Sequence, residues 1–188
     1  MKIFEYDSYG EYVRFQTAAN KKKINNVFVR ESTIKGIKSQ FPSAQSILCH
    51  GTRNGAEIKF FQRSYGKDAT VLGTEISDTA TNYANTVQWD FMKSNPEWVG
   101  KYDIVYSNAF DHCTDPEHTL KVWSDQIKEN GRLFIELALG KKHNNSTATD
   151  PLEYSKEEFL EIAKKVNLSV VTETKLHDGT LLVHLKKN

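Results

Sequence analysis

The sequence predicts an α/β protein: a doubly wound, mostly parallel sheet with helices on both faces and an antiparallel last strand. Three observations carry that prediction. From Ser46 onward, short apolar runs alternate with stretches of helical periodicity, the pattern of parallel strands joined by crossover helices. Residues 46–57, SILCHGTRNGAE, pass from a strand through a glycine loop into a helix start. Near the C-terminus two apolar runs flank Asp178-Gly179, and a connection that short forces the strands to lie antiparallel.

A chain of 188 residues, 38% apolar and 11% aromatic, fits a single domain with one ordinary core. Residues 1–45 are expected to form a helical cover and residues 46–188 the ligand-holding core. Lys and Arg number 25 against 24 Asp and Glu, so no overall field draws the chain to nucleic acid or an anionic membrane. The basic runs Lys21-Lys22-Lys23 and Lys141-Lys142-His143 read as solvated faces. No apolar run approaches the roughly 20 residues that span a bilayer, and MKIFEYDSYGEY carries acids where a signal peptide needs an apolar core. A cytoplasmic protein is expected, with Cys49 and Cys113 as thiols. Nothing in the sequence fixes an oligomeric state.

Taken in order, residues 2–6 suit an edge strand or extended arm, followed by polar sequence with scattered aromatics. Phe28, Ile34, Ile37 and Phe41 recur at near-helical spacing, with Glu31-Ser32-Thr33 as a start and Phe41-Pro42 as a stop. This helix is expected to cover one edge of the sheet, the alternative being a lid over the ligand mouth. Residues 47–49 make a first strand, 55–65 a helix, 70–75 a second strand, 78–84 a short helix or turn, and 86–89 a third strand ending at Asp90. Residues 102–107 are the clearest strand; a helix with Leu120, Val122, Trp123 and Ile127 follows and stops at Asn130-Gly131. Residues 132–136 form a fifth strand. The stretch 140–154, GKKHNNSTATDPLEY, is polar and aperiodic, and a loop of about fifteen residues after a strand end suits a substrate-side loop. Ser155 and Glu158 open a last helix whose buried stripe is Phe159, Ile162, Ala163 and Val166, and residues 168–174 and 180–185 are the hairpin strands.

In such a sheet a ligand sits beyond the carboxyl ends of the strands, where Gly51, Glu75, Asp90 and Asn108 all fall. The glycine loop exposes bare backbone to a ligand, and the following helix start offers unpaired N–H groups. About twenty residues after Gly55, Glu75 ends the second strand, where an acid hydrogen-bonds a ribose hydroxyl. A nucleoside-bearing ligand follows from that pair of features.

From about Ser46 onward, some three quarters of its length, the chain resembles the class I S-adenosylmethionine-dependent methyltransferases, of the small-molecule kind called methyltransferase type 11. The resemblance rests on ILCHGTRNGAE, LGTEIS, QWDF, YSNAFDHC and the turn Glu129-Asn130-Gly131-Arg132, in that order. It implies a seven-stranded sheet with a reversed seventh strand, S-adenosyl-L-methionine as cofactor and methyl transfer to a small-molecule acceptor. It further implies that backbone from Gly51 through Thr52 and Arg53 to Gly55 holds the methionine moiety, while Glu75 holds the ribose hydroxyls. Ile76 would pack on the adenine, Asp90 accept from its amino group beside Phe91, and backbone at Ser107 and Asn108 bind the methionine amino group. Two departures stand out: Cys49 replaces the acid that ends strand one, and Arg53 replaces the middle glycine, where its guanidinium can reach the methionine carboxylate. Asp111 and His112 lie at the acceptor rim as proton acceptors for a hydroxyl or amine, with a surface turn as the plainer reading. Ser107-Asn108-Ala109-Phe110 stands where nucleic-acid and protein amino methyltransferases carry Asn-Pro-Pro-aromatic, so a nucleic-acid acceptor is not expected.

Other classes fit less of the sequence. A catalytically silent cofactor-binding or scaffold protein would keep the same fold. A nicotinamide-dependent oxidoreductase would share the glycine loop and acid, but a compact Gly-x-Gly-x-x-Gly is missing. Cys49, His50, His112, Cys113 and His118 are possible zinc ligands by type, yet no Cys-x-x-Cys or His-x-x-x-His spacing is present, so no metal is expected.

Overall fold

The computed structural model describes residues 1–140, 145–177 and 179–188. Its strands are β1 (Lys2–Ile3), β2 (Ser46–His50), β3 (Thr70–Glu75), β4 (Thr86–Gln88), β5 (Tyr102–Ser107), β6 (Ile127–Ala138), β7 (Leu152–Glu153), β8 (Leu168–Lys175) and β9 (Thr180–Lys187). Its α-helices are α1 (Tyr9–Lys22), α2 (Glu31–Gln40), α3 (Ala56–Tyr65), α4 (Pro116–Gln126) and α5 (Lys156–Lys165). Seven strands form one sheet in the order β4-β3-β2-β5-β6-β9-β8. β2 pairs in parallel with both β3 and β5, and β9 runs antiparallel to β6 and β8. The expected doubly wound sheet with a reversed last strand is therefore present. The order turns back between β2 and β5, the switch point at which such sheets open a cleft.

Alternation along the strands divides the core in two. On β2, Leu48 points to one face while Ile47 and Cys49 point to the other; on β6, Leu133, Ile135 and Leu137 oppose Phe134. The first face is covered by α4 and α5 through Leu120, Trp123 and Phe159, with Tyr12 of α1 beside them. The second is covered by α2 and α3 through Ile34, Ile37, Ile58 and Phe61. Each large apolar side chain buried here contributes about 1.5–3 kcal/mol, and truncating Trp123, which is fully buried, would cost about 3–5 kcal/mol. The expected cap of α5 is formed: Ser155 Oγ accepts from Glu158 N at 3.1 Å, and Glu158 Oε2 accepts from Ser155 N at 2.8 Å.

Three sequence expectations are corrected. α4 ends at Gln126, because Ile127 already has extended backbone (φ −76, ψ 143) and begins β6. Ile127 continues the apolar series four residues after Trp123, which made it look helical. Asn130-Gly131 belongs instead to an irregularity in β6, where pairing with β5 jumps from Tyr102–Ile127 to Ile104–Arg132. A Cβ on Gly131 would meet Tyr102 O at 2.9 Å, so the crossing requires glycine. Second, the stretch before Phe28 contains a 14-residue helix, α1, whose buried residues are Tyr12, Gln16 and Asn20. Third, the N-terminal strand joins no edge of the main sheet; β1 pairs antiparallel with β7, giving structure to part of the expected long loop. Lys141-Lys142-His143 and Asp178 lie outside the described residues, while β8 and β9 pair as the hairpin reading requires. Among the described residues, no helix is long and apolar enough to cross a membrane.

Candidate functional site

A cavity of about 400 Å³ opens at the carboxyl ends of β2, β3, β5 and β6. Of the residues singled out from the sequence, Gly51, Thr52, Arg53, Glu75, Ile76, Asp90, Phe91, Asn108, Asp111 and His112 line it. Gly55 and Ser107 stand behind the wall. Gly55 N-caps α3, and the fully buried Ser107 donates from Oγ to His50 O at 3.2 Å while accepting from Ala109 N at 3.1 Å.

The glycine loop is fixed by main chain. Gly51 N and Thr52 N both donate to Thr74 O at 2.9 Å, and Gly55 N donates to Thr52 O at 2.7 Å. Gly51 has φ +74, and a Cβ there would lie 2.7 Å from the Ala109 Cβ, so the close approach of the loop to the turn after β5 depends on a bare Cα. Arg53 also has positive φ, at 42°, a conformation that side-chain-bearing residues rarely hold. Glu75 offsets the strain: its Oε2 accepts from Arg53 N and its Oε1 from Ser77 N, each at 3.0 Å. Every carboxylate oxygen has a second lone pair, so both remain able to accept from a ligand hydroxyl. Asn54 ties the loop to the chain between α1 and α2, donating to Ile24 O at 2.8 Å.

Among the described residues lining the cavity, Arg53, Glu57 and Asn20 each hold a buried polar atom without a hydrogen-bond partner. The Arg53 guanidinium lies over the Phe28 ring at 4.7 Å, its Nε buried without a hydrogen-bond partner. Burial pulls its pKa below the ordinary value, against the opposing pull of Glu75 and Glu57. Glu57, in the first turn of α3, is buried, and burial pushes its carboxyl up to about 7. Asn108 Nδ2 donates to its Oε1 at 3.4 Å, and Oε2 has no partner. Glu57 also raises the pKa of the Cys49 thiol, after burial itself, so a carboxyl reaches the end of β2 from the helix rather than from the strand. Glu57 was not anticipated from the sequence, although it closes the motif SILCHGTRNGAE.

On the opposite side α1 forms a roof with Tyr12, Gln16 and Asn20, whereas α2 packs against the sheet face and contributes Thr33 to the wall, next to Arg30 that precedes it. Tyr9 OH donates to Asp90 Oδ2 at 3.0 Å, and Met92 N to Asp90 Oδ1 at 2.9 Å. Phe91 packs edge-on against Trp123, whose Nε1 donates to Phe91 O at 3.1 Å. Burial raises the pKa of the Asp111 carboxyl. Asn145, Thr147 and Asp150 bring residues 145–154 of the 140–154 stretch to the cavity wall.

The cysteine and histidine residues do not converge. Cys49 and Cys113 are buried free thiols in different halves of the core. His50 is spent on structure: Nδ1 contacts Thr74 Oγ1 at 2.9 Å, Nε2 contacts Gln126 Oε1 at 2.8 Å, and the ring stacks on Trp123. Burial lowers its pKa to about 4. Among the described residues, the group whose atoms converge as metal ligands would is Asp111, His112 and Asp150.

No protein-family model and no curated protein matches the sequence. Solved structures match the fold. The 1,6-didemethyltoxoflavin-N1-methyltransferase of Burkholderia thailandensis, bound to 1,6-didemethyltoxoflavin and S-adenosylhomocysteine, superposes with TM-score 0.74 at 12% identity, over 98% of this chain and 92% of that one. A putative methyltransferase of Haloferax volcanii, in complex with the Trm112 activator, gives 0.70 at 16% identity, over 94% and 96% of the two chains. The [4+2]-cyclase SpnF gives 0.69 at 11% identity, over 84% and 81%. The chain has the class I S-adenosylmethionine-dependent methyltransferase fold, and the cyclase is a reminder that this fold hosts more than one chemistry.

Proposed function

We propose that the protein binds S-adenosyl-L-methionine in this cavity and transfers its methyl group to a small-molecule acceptor. The observation that carries the reading is the convergence on one cavity of a main-chain loop at Gly51, a carboxylate with spare lone pairs at Glu75, and two unsatisfied groups of opposite charge type, Arg53 and Glu57. In this reading Glu75 receives the ribose hydroxyls, while Ile76, Asp90 and Phe91 receive the adenine. Backbone from Gly51 to Gly55 lies along the methionine moiety, with Arg53 toward its carboxylate. Glu57 and Asn108 face its ammonium, the part left open by Cys49. The cofactor supplies a methyl group on a sulfonium; the displacement that moves it depends mainly on alignment, which the protein provides by closing α1 over the site. Asp111 and His112 are the polar groups that meet the acceptor's hydroxyl or amine.

Thermal unfolding with S-adenosylmethionine, S-adenosylhomocysteine and NAD tests this reading. Stabilisation by the two adenosyl ligands is expected, growing with concentration as mass action requires. Stabilisation by NAD alone, or by none of the three, would overturn it. A second reading, cofactor binding without methyl transfer, draws support from Arg53 in a glycine position and from the cyclase similarity. Cofactor binding without turnover across hydroxyl and amine acceptors would favour it.

A further inference from the structure

We infer that Asp111, His112 and Asp150 form a divalent-cation site on the acceptor side of the cavity. Asp111 and His112 come from the turn Phe110–His112 that follows β5, and Asp150 comes from the segment leading into β7 on the far side of the opening. One ligand atom from each lies within 4.8 Å of the others. His112 Nε2 is 3.6 Å from Asp150 Oδ1 and 3.9 Å from Asp111 Oδ1. Nitrogen and oxygen ligands bind such cations at about 2.0–2.2 Å, so two ligands of one ion stand no more than roughly 4.4 Å apart. Both histidine separations fall inside that limit.

The orientation of His112 supplies an independent argument. Gln16, buried on the inner face of α1, donates from Nε2 to Thr149 O at 3.2 Å. A carbonyl only accepts, so the Gln16 amide is fixed with Oε1 toward His112, 3.0 Å from Nδ1. His112 Nδ1 must therefore carry the hydrogen. In the neutral ring the lone pair is then on Nε2, 3.6 and 3.9 Å from oxygens of two carboxylates, an arrangement that repels unless a proton or a cation lies there. Arg53 and Lys23 are near enough to act on these carboxylates electrostatically, yet among the described residues no lysine or arginine forms an ion pair with Asp111 or Asp150. A histidine whose outer nitrogen donates to a fixed oxygen while its other nitrogen points at carboxylates has the support that metal-bound histidines carry.

One imidazole and two carboxylates suit a borderline-to-hard ion of the Mn²⁺ or Zn²⁺ kind and leave coordination positions open toward the cavity. Those positions fit an acceptor with oxygens on adjacent carbons, such as a vicinal diol or hydroxy acid. The identity of the acceptor rests on the methyl-transfer reading above; the cation site does not.

Manganese titration of the full chain without cofactor, followed by the loss of the free-ion paramagnetic resonance signal, tests the site. One ion per chain is expected. Asp150→Asn, a change on the cavity rim, should weaken binding at least 10-fold, and His112→Gln more. Gln16→Leu should weaken it several-fold by releasing the ring, a loss that a purely structural glutamine would not produce in folded protein with unchanged circular dichroism. No stoichiometric binding at millimolar Mn²⁺ or Zn²⁺, or equal binding by the Asp150→Asn protein, would overturn the inference. S-adenosylhomocysteine affinity measured on the same samples separates the two readings. Manganese binding without homocysteine-ligand binding leaves the cation site and removes methyl transfer, and the reverse removes the cation site alone.

Discussion

The wall built from β2, β3 and the glycine loop is held by main-chain N–H donors within one strand–helix–strand unit, whereas the opposite wall is held by side-chain donors reaching between segments far apart. In the first, Gly51 N and Thr52 N bond to Thr74 O, and Arg53 N bonds to Glu75 across 22 residues of sequence. In the second, Tyr9 reaches Asp90 across 81 residues, Gln16 reaches Thr149 across 133, and Tyr6 donates to Ala148 O across 142. The first wall is a rigid cradle set by backbone geometry that few substitutions can reproduce. The second is a roof of single contacts, each worth about 0.5–1.5 kcal/mol, that can change one at a time while the cradle stays unchanged.

The largest expected effect comes from breaking the cradle. Gly51→Ala sets a Cβ 2.7 Å from Ala109 and forces an alanine to φ +74, and the left-handed conformation alone costs about 1–2 kcal/mol. Calorimetry should show S-adenosylhomocysteine affinity reduced by roughly 100-fold or more, about 3 kcal/mol. Adding Ala109→Gly should restore part of it, since the collision is relieved and the backbone strain is not. Unchanged affinity in Gly51→Ala would mean that the ligand does not lie on this wall.

Glu57 gives the cradle a pH signature of its own. Its carboxyl is protonated in the folded chain up to about pH 7 but has an ordinary value of 4.5. Between those values the unfolded chain releases the proton and the folded chain keeps it, so this group lowers stability as pH rises through the window, by up to about 3 kcal/mol. His50 and His184 act in the opposite sense. Burial holds both at about 4 in the folded chain against 6.5, so between pH 4 and 6.5 the unfolded chain binds protons that the folded one refuses, and stability rises with pH. Thermal unfolding from pH 4.5 to 8 should show Glu57→Gln more stable than the parent at pH 8 and climbing more steeply from pH 4.5 to 6.5. A parallel offset at all pH values would show that Glu57 does not hold its proton in the folded state.

The same contrast explains what the sequence disclosed. β3 and β5 were legible to the residue because each carries a short apolar stretch, Val71-Leu72 and Ile104-Val105-Tyr106, between polar or turn-forming flanks, and the glycine loop with Glu75 was legible because both parts of the cradle lie within one strand–helix–strand unit. α1 was not legible, since its buried stripe is Tyr12, Gln16 and Asn20: the spacing is helical, but two of the three residues are polar and an apolar period never appears. The signal was present as a four-residue repeat of residues able to hydrogen-bond, which becomes meaningful only once Thr149 and His112 are known to face them. Asp150 was hidden for a related reason: it lies in an aperiodic stretch, and its approach to His112 joins distant segments that no local pattern records. The end of α4 was misread because Ile127 satisfies the helix period and the strand equally well, and only pairing with Tyr102 decides between them.

The smallest effect sharpens the comparison most. Tyr9 is half exposed at the start of α1, and its hydroxyl donates to Asp90 at 3.0 Å. Tyr9→Phe keeps the ring and removes that one bond, so the roof should loosen by about 0.5–1.5 kcal/mol, a 2- to 10-fold weaker hold on S-adenosylhomocysteine. Because a roof governs escape more than encounter, stopped-flow measurement should find the change in the dissociation rate, with association nearly unaltered. Asp90→Asn combined with Tyr9→Phe should cost less than the two single changes added together, as expected for partners in one bond. A loss from Tyr9→Phe as large as that from Gly51→Ala would mean that roof and cradle form one cooperative unit, and the distinction between a fixed wall and an adaptable one would have to be given up.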